Sequence, residues 1–488
     1  MSIFKNTTYN LAGSIIPVVV SLVSVPLYLQ TIGLERYGFL ALCWLILGYF
    51  GVFDLGLGKA TAQKIASLSK GLPKERSEFF WTALFISLAV SGLAALILYP
   101  FADAVLGLIQ SDNRELNAEL SAALPWLAAT VPVALVSGIL SGALAGRERF
   151  GFINLVDGFS NILMSLAPLT LAWYLGPQLG ILVAAALGSR LVVLALLFLG
   201  CYRWVPLAKP TSPKPPQIKA LLRYGGWVSV SGIINPILTS WDRFAIGAVL
   251  GAGSVAAYVI PFTLVGRVGL IPGALSGAIF PRLASATPAQ AEEIRKSAIA
   301  ALSLAMTPII LLAIIMIEPF LALWLGGEIA SRSADVAFIL LPGLWINSFA
   351  QVPHALLQAQ GRPNIVAKLH AAEVVPYILI LQIGLLSFGL EGAALAWTIR
   401  VACDAILLFH LSSALNSLWK LSVQALIIVT SASVAVGMPA DDLTKWALLI
   451  FLFLGGTILA VRSDPETALQ AWRRARAAIR VGGGRPAS

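Results

Sequence analysis

The chain has 488 residues, 58% of them apolar and only 11% charged, with a formal net charge of +10. A soluble domain carries about 25% charged residues, and at a mean hydropathy of +0.87 a soluble chain of this length could not hide its apolar surface. A soluble enzyme is excluded and a polytopic, all-α membrane protein is indicated; at about 20 apolar residues per crossing, the apolar runs allow about 14 transmembrane helices.

In chain order the apolar runs predict spans at 10–31, 38–62, 79–101, 120–145, 154–175, 180–201, 224–249, 255–280, 297–325, 336–360, 369–388, 391–414, 420–438 and 445–461. Lys5 and the first run imitate a signal peptide, but the run is long, Asn10 interrupts it and no A-x-A site follows, so it reads as a retained first helix. This divides the chain into an N-terminal six-helix lobe (1–201), a cytoplasmic Pro-rich linker (202–223), a C-terminal six-helix lobe (224–414), two additional helices (415–461) and a basic tail (462–488). Outer loops of about ten residues are expected at Gln110 to Glu119 and Gly326 to Asp335, with Lys445 on that same face.

Charge orients this layout. With the N-terminus in the cytoplasm, 24 of the 33 Lys and Arg fall on the inner face, among them Lys64, Arg76, Arg147, Arg149, Arg203, Arg362 and Arg473. The outer face holds only Arg36, Arg114, Arg332 and Lys445. This follows the positive-inside rule with both termini cytoplasmic. The basic charge is then a topology signal, and nucleic acid is not a partner.

The sequence also repeats. Gly33 meets Gly251 and Lys64 meets Arg282 at an offset of 218; Gly146-Arg147 meets Gly361-Arg362, and Arg190 meets Arg400. Two six-span units of like orientation are related by a pseudo-two-fold axis along the membrane normal, as in parallel-repeat transporters.

Charges inside spans are the sharpest functional signal, because each costs about 2.5–3.5 kcal/mol at a helix centre. Arg190 and Arg400 lie near the midplane at equivalent repeat positions, and Arg267 is similarly deep. With Arg243 and Lys59 they are the candidate cargo-binding cations, since guanidinium grips phosphate or carboxylate through forked hydrogen bonds. The competing readings are a structural pair of Arg400 with Asp404, four residues on, and snorkelling of Lys59. Asp242 is adjacent to Arg243, and neighbours on a helix diverge by about 100 degrees, so that pair is not expected to neutralise itself. Asp157 and Glu373, near the start of the fifth helix of each unit, are candidates for ion coupling together with Asp54, Asp242 and Asp404; the alternative for the first two is pairing with Arg147, Arg149 or Lys368. Cys43, Cys201 and Cys403 read as small apolar residues. His354, His370 and His410 read as isolated, so no metal site is expected. No GxxxxGK[ST] is present, and no cofactor is expected; a proton or sodium gradient is the expected drive.

The stretch Gly33-Leu34-Glu35-Arg36-Tyr37-Gly38, followed by Phe53-Asp54-Leu55-Gly56-Leu57-Gly58, resembles the opening of Wzx-type polysaccharide and O-antigen flippases of the multidrug/oligosaccharidyl-lipid/polysaccharide exporter superfamily. Trp241-Asp242-Arg243, Val255-Ala256-Ala257-Tyr258, Pro281-Arg282-Leu283 and Gly361-Arg362-Pro363 are similar to further signatures of that family. The resemblance implies two six-helix lobes around a central cavity and a bacterial inner-membrane location. It also implies a cargo, a polyprenyl pyrophosphate-linked oligosaccharide moved to the outer leaflet, and as partners the lipid bilayer, a polysaccharide polymerase and a chain-length regulator. It assigns none of the intramembrane charges. The alternatives are a multidrug or cell-wall lipid-precursor (lipid II) transporter of the same superfamily and, in a different class, a membrane polymerase or ligase. A polymerase or ligase would need a sizeable outer loop or a catalytic constellation, and the sequence offers neither.

Overall fold

The computed structural model describes residues 19–48, 57–68, 73–107, 113–205, 238–415, 421–439 and 442–463, with a few isolated positions between them. Among the described residues every regular element is a helix, and nine helices are long and apolar enough to cross a membrane. Described residues fall in each of the fourteen predicted spans. Large apolar side chains such as Leu96, Tyr174, Leu323 and Ile383 stand exposed on helix surfaces. In lipid that face needs no burial, because the solvent is itself hydrocarbon.

The chain forms two compact units, Met1–Ala256 and Ala257–Ser488. The first contains α1 (Val19–Ile32), α2 (Leu34–Gly48), α3 (Leu57–Ser67), α4 (Pro73–Gly107), α5 (Arg114–Ala145), α6 (Phe150–Leu175), α7 (Leu179–Trp204) and α8 (238–250). Ile65, Phe80, Leu144, Val156 and Cys201 build a core that joins α3 to α7, with Phe152 and Trp204 packed against it. The Tyr28 hydroxyl donates to the Ser165 carbonyl at 2.7 Å and ties α1 to α6. Arg36 reaches Glu119 with two hydrogen bonds of 3.0 and 2.6 Å, and Glu119 also accepts from the Leu179 N–H at 3.1 Å. One carboxylate thus fastens the starts of α2 and α7 to α5, and holds the Arg36 guanidinium above its ordinary pKa.

After α9 (Ala252–Val268), which starts just before the boundary, the second unit holds α10 (Leu270–Ser285), α11 (Pro288–Trp324), α12 (Gly327–Ala359), α13 (Pro363–Leu411), α14 (Ser422–Gly437) and α15 (Leu443–Ser463). Thr287 and Gln290 close a capping box at the start of α11. The last two helices are pinned by buried polar contacts. Gln424 of α14 accepts the Ser303 and Thr307 hydroxyls at 2.8 and 2.9 Å. Lys445 of α15, only 1% exposed, donates to Glu318 at 2.6 Å.

The structure refines several sequence expectations. Lys445, read as the first residue of the last span on the outer face, is buried there against Glu318, beside the Phe338 and Trp446 rings, a pairing the sequence reading did not foresee. Helix takes up part of both expected outer loops, since α5 starts at Arg114 and α12 at Gly327. Asn113 caps α5 by accepting the Glu115 and Leu116 N–H groups. Gly326 (φ 68°) and Gly327 (φ 60°) turn the chain directly from α11 into α12. Of the span 38–62 the described residues are helical, in α2 and α3, with 49–56 outside the described residues, and 255–280 falls within one apolar stretch, Ala252–Ser285, with a turn at Gly269 between α9 and α10. The spans 369–388 and 391–414 are borne out as two helices, the halves of α13, which part at Gly389 (φ 59°). There Gly384 and Gly392 meet backbone to backbone, where a Cβ on either would collide with the other's carbonyl.

The repeat is visible in the backbone. Gly33 and Gly251, 218 residues apart, both have φ 81° and precede α2 and α9. The turns before α6 and α13 place Glu148 (φ 58°) and Gly361 (φ 73°) in the left-handed region, each followed by an arginine at the N-cap, Arg149 and Arg362. This sets the local offset at 213, so Arg362 corresponds to Arg149 rather than to Arg147 as the Gly-Arg dipeptides suggested.

Candidate functional site

The second unit assembles a polar cluster on α12 and α13. On the first half of α13, His370, Glu373 and Tyr377 follow one another at spacings of three and four and share a face. Arg400 and Asp404, one turn apart on the second half, meet that face across the Gly389 reversal. The Arg400 guanidinium lies 3.5 Å from the Glu373 carboxylate and stacks over the Tyr377 ring at 5.4 Å. His370 Nε2 lies 3.6 Å from Asp404 Oδ1. His354, on α12, stacks on His370 at 6.1 Å and contacts Gln358 at 3.3 Å.

Glu373 and Asp404 are 8% and 7% exposed. Glu373 Oε1, Asp404 Oδ1 and Arg400 Nε are buried atoms without a hydrogen-bond partner among the described residues. Glu373 thus pairs with the guanidinium and Asp404 with the imidazole pair. A buried carboxylate is tolerated when it is paired, protonated or holding a cation. With two acids to one permanent cation, this cluster has one charge to spare, which a proton or small cation can neutralise.

The other candidate residues are placed elsewhere. Arg190 is half-buried on α7, and its buried Nε has no hydrogen-bond partner among the described residues. Asp157 is exposed on α6. Among the described residues it forms no ion pair with Arg190, Arg147 or Arg149, and its backbone carbonyl accepts from Asn161 at 2.8 Å. Arg267, at the last turn of α9, is half-buried and makes no ion pair among the described residues.

Arg243 and Asp242 correct the expectation that neighbours cannot pair. The Arg243 side chain folds back to the Thr239 carbonyl at 2.6 Å, which brings it within 3.6 Å of the fully buried Asp242 carboxylate. That carboxylate also accepts the Arg243 N–H at 2.9 Å. Asp54, and the side chain of Lys59, lie outside the described residues.

The structure therefore joins Arg400, read as a cargo cation, to Glu373, read as a coupling acid; Asp404, four residues on, faces His370 instead. The isolated-histidine reading fails for His354 and His370. It considered spacing along the chain, whereas their rings meet across two helices. The i, i+3, i+7 stripe of His370, Glu373 and Tyr377 was the available signal.

A family profile described as "Polysaccharide biosynthesis protein" matches residues 3–287. The chain is 29% identical over 429 residues to a Shigella flexneri protein assigned to O-antigen transport, covering 86% of this chain and all of that one. It is 24% identical over 408 residues to a Haloferax volcanii protein assigned as a low-salt glycan biosynthesis flippase, covering 80% of this chain and 79% of the other. Among solved structures, the lipid II flippase MurJ in an inward closed conformation superposes with a TM-score of 0.72 at 13% identity, over 93% of this chain and 98% of that one. An inward-facing multidrug resistance MATE family transporter of the MOP superfamily gives 0.68 at 16% identity, over 83% and 99%. At these identities the structural likeness establishes the fold.

Proposed function

From the premise that this chain belongs to the polysaccharide biosynthesis protein family, we propose that it is a flippase for polyprenyl pyrophosphate-linked oligosaccharides. It carries the lipid-linked repeat unit from the cytoplasmic to the periplasmic leaflet of a bacterial inner membrane by alternating access, for O-antigen or exopolysaccharide synthesis. Both termini are cytoplasmic in this reading, and the polymerase and chain-length regulator act after it. The match to the Shigella flexneri protein along that protein's entire length supports the cargo class.

The observation that carries the proposal is Arg190. A guanidinium held in the apolar run from Leu182 to Leu199, with no acidic partner among the described residues, is a receptor waiting for an anion. Phosphate oxygens fit its forked donors. Arg267 has the same lack of an ion pair and is the second candidate for the diphosphate. The cluster of Glu373, Asp404, His370 and Arg400 serves ion coupling in this reading: a proton or sodium ion taken up there frees Arg400 from Glu373.

The test is complementation of a strain lacking the chromosomal copy. Losing a charge-assisted phosphate contact costs about 2–3 kcal/mol, or roughly 30- to 160-fold in rate. Arg190→Ala should therefore lose surface polysaccharide and accumulate lipid-linked repeat units while reaching the membrane at normal levels. Arg190→Lys should recover part of the activity. Full polysaccharide production by Arg190→Ala overturns the assignment, as does recovery in the Arg190→Ala, Asp157→Ala double variant.

A further inference from the structure

A second arginine group lies in the first unit, made of residues that the proposed function does not use. Four helix ends meet at one end of that unit: the starts of α4 and α6 and the finishes of α5 and α7. Because α5 and α6 are joined by a four-residue turn, Arg147 and Arg149 arrive beside Arg203 and Trp204 at the end of α7. The Arg147 Nε donates to the Trp204 carbonyl at 3.3 Å. The guanidiniums of Arg149 and Arg203 lie 5.6 and 5.7 Å from the Trp204 ring. Phe152 packs edge-on against that ring at 4.8 Å and fixes its orientation. Arg76, in the first turn of α4, is an electrostatic neighbour of Arg147. It precedes Phe80 by one turn on the same face, and Phe80 belongs to the core on which Trp204 packs.

Helix capping accounts for Arg147 alone, since it satisfies the last carbonyl of α7. It does not account for the other three. Arg76 is only 4% exposed, and its Nε has no hydrogen-bond partner among the described residues. None of the four arginines makes an ion pair among the described residues, although Glu75, Glu78 and Glu148 are near in sequence. A buried guanidinium beside like charges raises the energy of the fold, and an anion seated among them reverses the sign. The start of α6 adds N–H groups that no side chain caps. Arg149 and Arg203 are exposed, so the site is open from outside.

We propose that Arg76, Arg147, Arg149 and Arg203, gathered around Trp204, bind the phosphate of a lipid headgroup. Tryptophan and arginine at a helix end match the interface, where such phosphates lie, and basic pockets between helices select anionic headgroups. The chemistry is shared by two sources, a resident anionic phospholipid and the diphosphate of a prenyl-linked molecule. The proposal goes beyond the cargo assignment and does not depend on Arg190.

Native mass spectrometry of the detergent-purified full chain tests it, with phosphatidylglycerol and farnesyl diphosphate as probes. At least one probe should be retained, and Arg149→Gln with Arg203→Gln, both exposed and harmless to folding, should weaken its retention by about tenfold. Adding Arg76→Gln should weaken it further, while Arg190→Ala should leave the retention of phosphatidylglycerol unchanged. Phosphatidylglycerol displaced by farnesyl diphosphate identifies a prenyl diphosphate site. Phosphatidylglycerol that resists displacement identifies a resident phospholipid. Retention of both probes by the triple variant at wild-type strength, or of neither by the wild type, overturns the proposal.

Discussion

The fifth and sixth spans of the two units use one scaffold for opposite electrostatic ends. In the first unit they are α6 and α7; in the second they are the two halves of α13. Leu182, Val183, Ala185, Ala186, Val193 and Leu197 are buried in one, and Ala393, Ala394, Ala396, Trp397, Asp404 and Leu408 are buried in the other, at a constant offset of 211. Asp404 thus occupies a position where the first unit has a core valine. At the offset of 213 set by the preceding turns, His370 stands where the first unit has Asp157, and Glu373 where it has Ser160. Arg400 falls opposite Ser189, one residue short of Arg190. A one-residue slip turns a side chain by about 100 degrees on a helix. That slip separates a compensated arginine, facing Glu373, from one with no acidic partner. The sequence repeat suggested two matching arginines; the packing makes them different.

Removing Arg400 should give the largest effect. Arg400→Met leaves Glu373 and Asp404 buried together without a permanent cation. Breaking a buried pair from one side costs about 3–5 kcal/mol. A marked fall in Tm of the purified protein is expected, with partial recovery in the Arg400→Met, Glu373→Gln double variant. An unchanged Tm would mean that the two units do not differ in this way.

Next comes the coupling cluster. Glu373→Gln or Asp404→Asn removes a titratable carboxylate, so transport in proteoliposomes should slow by about tenfold, or about 1.4 kcal/mol of barrier, and its pH dependence should flatten. Asp157→Asn, which is exposed and lies opposite His370, should show the same change in weaker form. Wild-type rate and pH profile in the Glu373 and Asp404 variants would remove the cluster from coupling.

Much of the fold was legible in the sequence because lipid imposes a simple rule: a crossing needs about 20 apolar residues. All fourteen predicted spans contain described helix. Legibility failed where polar residues continue a helix beyond the apolar run, as Arg114 and Glu115 do after the Asn113 cap, whereas the break at Gly389 falls where the spans 369–388 and 391–414 put it. The site was half legible. Depth and rarity singled out Glu373, Arg400 and Asp404, but partner choice is a matter of which helix faces meet. Residues 373 and 400 are brought together by a reversal whose geometry no local spacing encodes. The histidines were discounted for the same reason, and the pairing of Lys445 with Glu318, 127 residues away, was not foreseen.

The smallest expected effect is the most discriminating. Arg190→Met replaces an unpaired guanidinium with an apolar side chain of similar length in an otherwise apolar run. The insertion penalty of about 2.5–3.5 kcal/mol for arginine is relieved, and the only losses are the van der Waals contacts of its stem, which methionine largely restores. Tm should stay the same or rise slightly, by an amount equivalent to about 1 kcal/mol, while transport is lost. Stability and activity then part company at Arg190 and fall together at Arg400. A fall in Tm for Arg190→Met comparable to that of Arg400→Met would reveal an acidic partner on another helix. In that case Arg190 would be as compensated as its counterpart, and the asymmetry between the units would disappear.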